Sequence, residues 1–227
     1  MSSTSESIRL GAVGLGRAFA LTAPAIAAHP LVRLVAACAP RAESRAVGER
    51  AFEGLRTYPD IAGLAADPEV EALYISTPHG MHRAHTEAAL GGGKHVLVEK
   101  PMAVGLDDAT AMIDAAHRAG RVLIVGPSHS FDAPVALARR MIEDGAIGRL
   151  RMIHALYATD FLYRPRRAEE LDTSLGGGVV FSQAIHQIDL VRRLAGVPAR
   201  SVTARTGRAW DADRPTEGAH SALIDFD

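Results

Sequence analysis

Ile8-Arg9-Leu10-Gly11-Ala12-Val13-Gly14-Leu15-Gly16-Arg17 is the stretch on which the fold turns. Six mostly apolar residues, 8–13, stop at glycines, as a strand buried in a parallel sheet does. A helical stretch follows over 17–28, bent or interrupted at Pro24. A second apolar run occupies 32–38. Strand, glycine turn, helix and strand form the setting in which a glycine fingerprint carries meaning. Such a turn lets a pyrophosphate approach the backbone at a helix N-terminus, where unpaired N–H groups and the helix dipole favour an anion. The residues placed to meet a dinucleotide are Gly11, Gly14, Leu15, Gly16, Arg17 and Ala18. The third glycine of the fingerprint, counted from Gly14, falls on Phe19, so this ring must point elsewhere or push the helix outward.

The alternation continues outward. Residues 41–52 and 61–66 read as helices, and 70–76 as a strand ended by Thr77-Pro78. Residues 81–90 read as a helix closed by Gly91-Gly92-Gly93, and 95–98 as a strand running into Glu99-Lys100-Pro101. A helix over 106–119, stopped by Gly120, and a strand over 122–125 complete the series. Strands alternating with helices predict a doubly wound parallel sheet with right-handed crossovers. After Gly126 the pattern changes. A helix is expected over 132–144, a strand over 150–159, and an irregular, arginine-rich segment over 160–175. A helix over 179–194 sits behind Gly176-Gly177-Gly178, and strands are expected over 200–206 and 220–226. The expected fold is α/β: a Rossmann doubly wound parallel sheet over residues 1–126, then an α+β open-sheet domain over 127–227. Residues 221–227 have strand character with nothing to cover the edge, so further chain is expected to have followed and the second domain to be incomplete.

Composition narrows the function classes. The 227 residues are 48% hydrophobic and 22% charged, ordinary for a globular chain with room for a core. A net charge of −1 argues against a nucleic-acid partner. The cluster of Arg164, Arg166 and Arg167 suits a small anion instead. The single cysteine, Cys38, cannot form an internal disulfide, which fits a reducing compartment. Residues 1–7 lack an apolar signal core, and no run approaches the ~18 apolar residues of a span, so a cytoplasmic protein without a membrane partner is expected. The ten histidines show no metal spacing such as H-E-x-x-H, and no metal is expected.

The end of the second strand bears on the cofactor. Dinucleotide sites that select NAD usually place an acid there for the ribose 2′-OH. Here the stretch is Ala37-Cys38-Ala39-Pro40-Arg41, with Glu43 the first acid and Arg45 close by. Missing repulsion and an available guanidinium at Arg41 suit a 2′-phosphate, so NADP(H) is expected, with NAD(H) the alternative.

With Glu99-Lys100-Pro101 in view, the chain resembles the glucose–fructose oxidoreductase / inositol dehydrogenase family of NAD(P)-dependent oxidoreductases. Four features carry the resemblance in order: the glycine turn, Ser76-Thr77-Pro78-His79-Gly80-Met81-His82, Lys94-His95-Val96-Leu97-Val98-Glu99-Lys100-Pro101, and Gly176-Gly177-Gly178 leading to His186-Gln187-Ile188-Asp189. Glu170-Leu171-Asp172-Thr173 and Gly126-Pro127-Ser128-His129-Ser130-Phe131 look like the branch containing phthalate 4,5-dihydrodiol (dihydroxyphthalate) dehydrogenases. The resemblance implies a Rossmann domain followed by an open-sheet domain that often mediates oligomerisation, hence a homo-oligomer where that sheet is complete. It implies that Lys100 lies beside the nicotinamide and touches the reacting hydroxyl, and that His186 accepts or donates a proton. Ser76, Thr77, Pro78 and His82 match positions lining the cofactor, and Glu99 one near the nicotinamide ribose. Ser128, His129, Arg164, Arg166 and Gln183 join Lys100 and His186 as candidate substrate contacts. The aspartate that the family often carries four residues before the histidine is Ser182 here, which puts an acid-assisted scheme in doubt.

The residues support this chemistry on their own terms. Oxidising a carbinol requires removal of its hydroxyl proton, and a lysine among positive groups has a lowered pKa suited to the task. Histidine works near neutral pH with little tuning. Three functions follow: a dehydrogenase of a cyclic alcohol or cis-dihydrodiol, sharpest as a phthalate-type dihydrodiol; a sugar or inositol dehydrogenase; and a dinucleotide-binding protein without turnover.

Overall fold

The computed structural model describes residues 7–160, 165–208 and 215–227. The chain forms two compact units, Met1–Gly126 and Pro127–Asp227. In the first, strands β1 (Ile8–Val13), β2 (Val32–Cys38), β3 (Arg56–Tyr58), β4 (Ala72–Ile75), β5 (His95–Glu99) and β6 (Leu123–Gly126) alternate with helices. The helices are α1 (Arg17–Ala28), α2 (Ala42–Ala51), α3 (Ile61–Ala66), α4 (His82–Gly91) and α5 (Leu106–Ala119). The strands pair in parallel in the order β3-β2-β1-β4-β5-β6. The order reverses between β1 and β4, the crevice where ligands of open α/β sheets bind.

Because side chains alternate across a strand, each strand feeds two cores. Val13, Leu73, Ile75, Val96 and Val98 pack one face with Leu64, Leu90 and Met112. Leu10, Ala12, Ala37 and Tyr74 pack the other with Phe19, Ala23 and Leu55. This second core answers the question raised by Phe19. Its ring turns inward and lies 6.0 Å from that of Phe52, filling the layer as a core aromatic. Helix α1 runs unbroken through Pro24, where a bend or interruption was expected.

Two features of this unit are absent from the sequence reading. Strand β3 is three residues long and pairs with β2 alone, too short to show a period. Lys94 is buried, its ammonium donating to the carbonyls of Asp67 at 2.7 Å and Val70 at 2.8 Å. Those bonds tie the approach to β4 to the approach to β5 and satisfy a charge that burial otherwise penalises.

The second unit contains α6 (Ala133–Glu143), α7 (Ile185–Ala195) and an antiparallel pair, β7 (Ala199–Gly207) with β8 (Ala219–Phe226). Two expectations are corrected here. Residues 150–159, expected as a strand, take no regular secondary structure. A strand needs a hydrogen-bonded neighbour, and among the described residues this segment pairs with none, leaving Met152, Leu156 and Tyr157 exposed. The helix expected over 179–194 is two stretches, π-helical at Val180–Ala184 and α-helical from Ile185.

The three glycines ahead of that helix have structural reasons. Gly176 and Gly178 have φ of +80° and +88°. A Cβ on Gly177 would lie 2.7 Å from the Glu170 carbonyl oxygen. Their closeness seats Glu217 against the helix start, where its carboxylate accepts from Val180 N at 3.1 Å and from the hydroxyls of Thr173 and Thr216. The carboxylate satisfies otherwise orphaned donors of a helix start and complements its dipole.

Candidate active site

The parallel register brings the ends of β1, β2, β4 and β5 to one edge of the sheet. Val13 is level with Cys38 on one side and Ile75 on the other, and Ile75 is level with Val98. The loops that follow, Gly14–Gly16, Ala39–Arg41, Ser76–Pro78 and Glu99–Pro101, therefore open side by side.

Gly14 has φ +91°, a left-handed conformation that favours glycine, and its N–H donates to Cys38 O at 2.9 Å. A Cβ there would meet Thr77 Cγ2 at 3.0 Å. Ser76 closes the other side of the turn, its buried hydroxyl donating to Gly14 O at 2.9 Å. Gly16 is the N-cap of α1 and has open space where a side chain would stand. No side chain caps this helix start and its first turn carries no acid, so its N–H groups are aimed at whatever enters the turn. This cradle fits a pyrophosphate. Gly11 lies apart from it. It sits inside β1, where a Cβ would press on Leu73 at 2.6 Å, so its missing side chain serves sheet–helix packing. Leu15 packs against Gly48 of α2, while Arg17 is exposed and Ala18 half-buried at the start of α1.

At the end of β2, Arg41 is exposed as the N-cap of α2. Arg45 is engaged, its guanidinium donating to the carbonyls of Ala39 at 2.8 Å and Pro40 at 3.0 Å, which fixes the loop that presents Arg41. Cys38 is buried behind it, and burial pushes its thiol up to about 12, so it stays protonated.

At the end of β5, Glu99 is oriented from behind. Tyr74 donates to its Oε1 at 2.6 Å, Thr22 of α1 donates to the Tyr74 hydroxyl at 3.2 Å, and the Lys100 N–H donates to Oε2 at 3.2 Å. Tyr74 and Thr22 escaped the sequence reading, although a tyrosine inside the apolar run of β4 asks for a partner for its hydroxyl. Burial and the Glu99 carboxylate both hold the Tyr74 phenol above its ordinary range. Lys100 is half-buried, and its burial lowers its pKa against the opposing pull of Glu99. The Lys100–Pro101 bond is cis. Pro78 is exposed, and Thr77 Oγ1 lies 3.0 Å from His85 Nδ1. His82 departs from its expected place along the cofactor. It is fully buried, with Nδ1 2.9 Å from Pro101 O and Nε2 2.9 Å from Thr77 O.

The second unit gathers another set. His129 and His186 meet edge to face with ring centroids 4.6 Å apart. Asp132 faces His129 Nδ1 at 3.2 Å. Ser130 is buried and its hydroxyl donates to Asp189, which fastens the segment before α6 to α7. Ser182, at the position of the missing aspartate, donates its hydroxyl to Gly178 O one turn back. Ser128 is exposed and Gln183 half-buried. The arginine loop is partly committed to its own acids. The Arg166 side chain is 5% exposed and pairs with Glu170 at 3.4 Å, and Arg167 pairs with Glu169 and Glu170. Arg164 lies outside the described residues.

The comparisons with known proteins give the family. A model described as oxidoreductase family, NAD-binding Rossmann fold, matches residues 8–127. A model of the GFO/IDH/MocA C-terminal domain matches residues 135–227. The chain belongs to the GFO/IDH/MocA oxidoreductase family. It is 53% identical over 220 residues to a 1-carboxy-3-chloro-3,4-dihydroxycyclohexa-1,5-diene dehydrogenase of Comamonas testosteroni, covering 97% of this chain and 55% of that protein. It is 31% identical over 175 residues to inositol 2-dehydrogenase 2 of Saccharopolyspora erythraea, covering 76% and 49%. The chain thus spans about half the length of these curated relatives. Among solved structures, the WlbA dehydrogenase of Bordetella pertussis, in complex with NADH and UDP-GlcNAcA, superposes with a TM-score of 0.86 at 29% identity. That match covers 99% of this chain and 65% of the other. Among the described residues no helix is long and apolar enough to cross a membrane.

Proposed function

We propose that the protein is an NAD(P)-dependent dehydrogenase that oxidises a cyclic cis-dihydrodiol bearing a carboxylate. The observation that carries this reading is Lys100. It stands at the carboxyl end of β5 beside an oriented Glu99, in the same row of loops as the Gly14 cradle, with its amine biased by burial toward the neutral form that accepts a proton. The 53% identity to a dehydrogenase of a carboxylated cyclic dihydrodiol supports the substrate class. The residues that would hold the dinucleotide are Gly14, Leu15, Gly16, Arg17 and Ala18 at the pyrophosphate, Arg41 at the adenosine ribose, and Ser76, Thr77, Pro78 and Glu99 toward the nicotinamide. When bound, the nicotinamide supplies the hydride acceptor. Lys100 takes the hydroxyl proton as the carbinol C–H bond breaks, so the carbinol becomes a carbonyl, and the ring then enolises to a catechol. His186, with His129 against its ring, is assigned to proton transfer and substrate contact in the second unit, together with Ser128 and Gln183.

NADP(H) is the proposed cofactor, on the strength of Arg41 and of a β2 end without an acid. We assign the protein to the cytoplasm, supported by its buried, reduced Cys38. We also read it as a homo-oligomer, supported by exposed Val202 and Leu223 on β7 and β8.

A polyol reading also has an observation in its favour. Arg166 is buried against Glu170 and so is poorly placed to claim a substrate carboxylate. A panel of carboxylated cis-dihydrodiols, inositols and sugars, each with NAD⁺ and NADP⁺ and read at the nicotinamide absorbance, separates the two. Turnover confined to dihydrodiols supports the first reading, and turnover confined to polyols replaces it. Cofactor binding without any hydride transfer would leave only a binding protein.

A further inference from the structure

His82 opens α4, and its ring is fully shielded from solvent between two loops. Its nitrogens reach in opposite directions, Nε2 to Thr77 O after β4 and Nδ1 to Pro101 O after β5, each at 2.9 Å. A carbonyl oxygen can only accept. A neutral imidazole has one N–H, so it can satisfy one of these carbonyls and must turn a lone pair on the other. Two donated bonds require a proton on both nitrogens. Among the described residues, the ring's hydrogen bonds run to these two carbonyls and to no carboxylate. His79 stands edge-on at 5.6 Å, and His85 is pushed below its ordinary range by its own burial.

The two carbonyls belong to the loops that matter. Thr77 contacts the Gly14 turn, and its neighbour Ser76 is bonded to Gly14. Pro101 follows Lys100. A rigid side chain between these points sets the distance from the cradle to the lysine, and misplacement by about 1 Å can cost on the order of 10²-fold in rate.

We propose that His82 is a positioning residue: with a proton on each ring nitrogen, it donates to Thr77 O and Pro101 O and holds Lys100 at a fixed distance from the glycine turn. The proposal rests on the reading of Lys100 as proton acceptor, but its geometry is tested without turnover. The ¹⁵N shifts of His82 in the full-length wild-type protein, assigned by their loss in His82→Gln, are expected to show two protonated nitrogens at neutral pH, with and without NADPH. A neutral tautomer overturns the clamp. For His82→Gln, whose amide reaches only one carbonyl, kcat is expected to fall about tenfold or more while the Kd for NADPH changes by less than about threefold. Wild-type kcat in this variant overturns the positioning role. Loss of NADPH binding in parallel with kcat also overturns it, because collapse of the unit spoils both. If the wild type has no turnover at all, the dehydrogenase reading falls, and the ¹⁵N spectrum still decides the clamp.

Discussion

The two units hold their candidate residues by different means. In the first, the loops of the proposed site follow strands that feed a core on each face of the sheet, and those after β1, β4 and β5 are bonded to one another through Ser76, Tyr74 and His82. In the second, the described candidate residues sit on helices and turns fixed chiefly by polar contacts, Ser130 to Asp189 and Glu217 to the start of the π-helical stretch. Strand β7 is exposed along nearly all its length. A two-stranded ladder is marginal by itself. A doubly covered sheet presets geometry, whereas a polar framework presets it only while each bond survives. The proposed function accordingly puts cofactor binding and the Lys100 proton acceptor on the first unit, and His186 with the proposed substrate contacts on the second.

The largest expected effect is at Lys100. Lys100→Ala should lower kcat by ~10²–10⁴-fold, the range for loss of a general base, while NADPH titration gives a Kd within about threefold of wild type. Unchanged kcat would remove the proton-accepting role from Lys100.

Next comes a pair of glycine substitutions that sets the units against each other. Gly14→Val forces a branched side chain into φ +91° and onto Thr77, and NADPH should bind about tenfold more weakly, as about 1–2 kcal/mol of strain implies. Gly178→Ala places a Cβ against the Glu217 carboxylate and Thr216 hydroxyl. It should speed amide hydrogen exchange at residues 180–184 and leave the NADPH Kd alone. Equal loss of cofactor binding in both would erase the contrast.

A third effect is on stability and carries a definite sign. Burial lowers the folded-state pKa of Lys100, so its charge opposes folding below that value. Lys100→Met should raise the urea midpoint at neutral pH. The gain should shrink as pH rises from the lowered folded pKa to the ordinary lysine value, where both states are neutral. A gain that grows with pH would contradict the burial argument.

The smallest effect is at Arg41. Arg41→Ala should weaken NADPH by about fivefold, as the ~1 kcal/mol of a solvent-screened, exposed ion pair implies, and leave NADH unchanged. Equal loss for both cofactors would place Arg41 outside the 2′-phosphate.

What could be read from the sequence follows the same division. The strands and helices of the first unit announce themselves because a buried parallel strand is a plain apolar run closed by glycine, as at residues 8–13 and 95–98. Strand β3 is too short to have a period, and Phe19 is a core residue because its fate depends on Phe52, far along the chain. The positions of Gly14, Lys100 and Glu99 were legible, because glycine at a strand end and Glu-Lys-Pro are local signals. The burial of His82 between two carbonyls was not, since both partners are remote or backbone. In the second unit, residues 150–159 have the composition of a strand, but pairing is decided by neighbours that no local pattern specifies. The pairing of Arg166 with Glu170 was written at four-residue spacing, and the attraction of three nearby arginines for an anion obscured it.

The central claim is that a half-buried lysine at the end of β5 removes the substrate proton. Its most direct test is the pH dependence of kcat/KM for dihydrodiol oxidation by the wild type and by Lys100→Ala. The account predicts a wild-type rate that rises with pH through a pKa below the ordinary lysine value of ~10.4, and no such rise in the residual activity of the variant. The same rising limb in both proteins would contradict it.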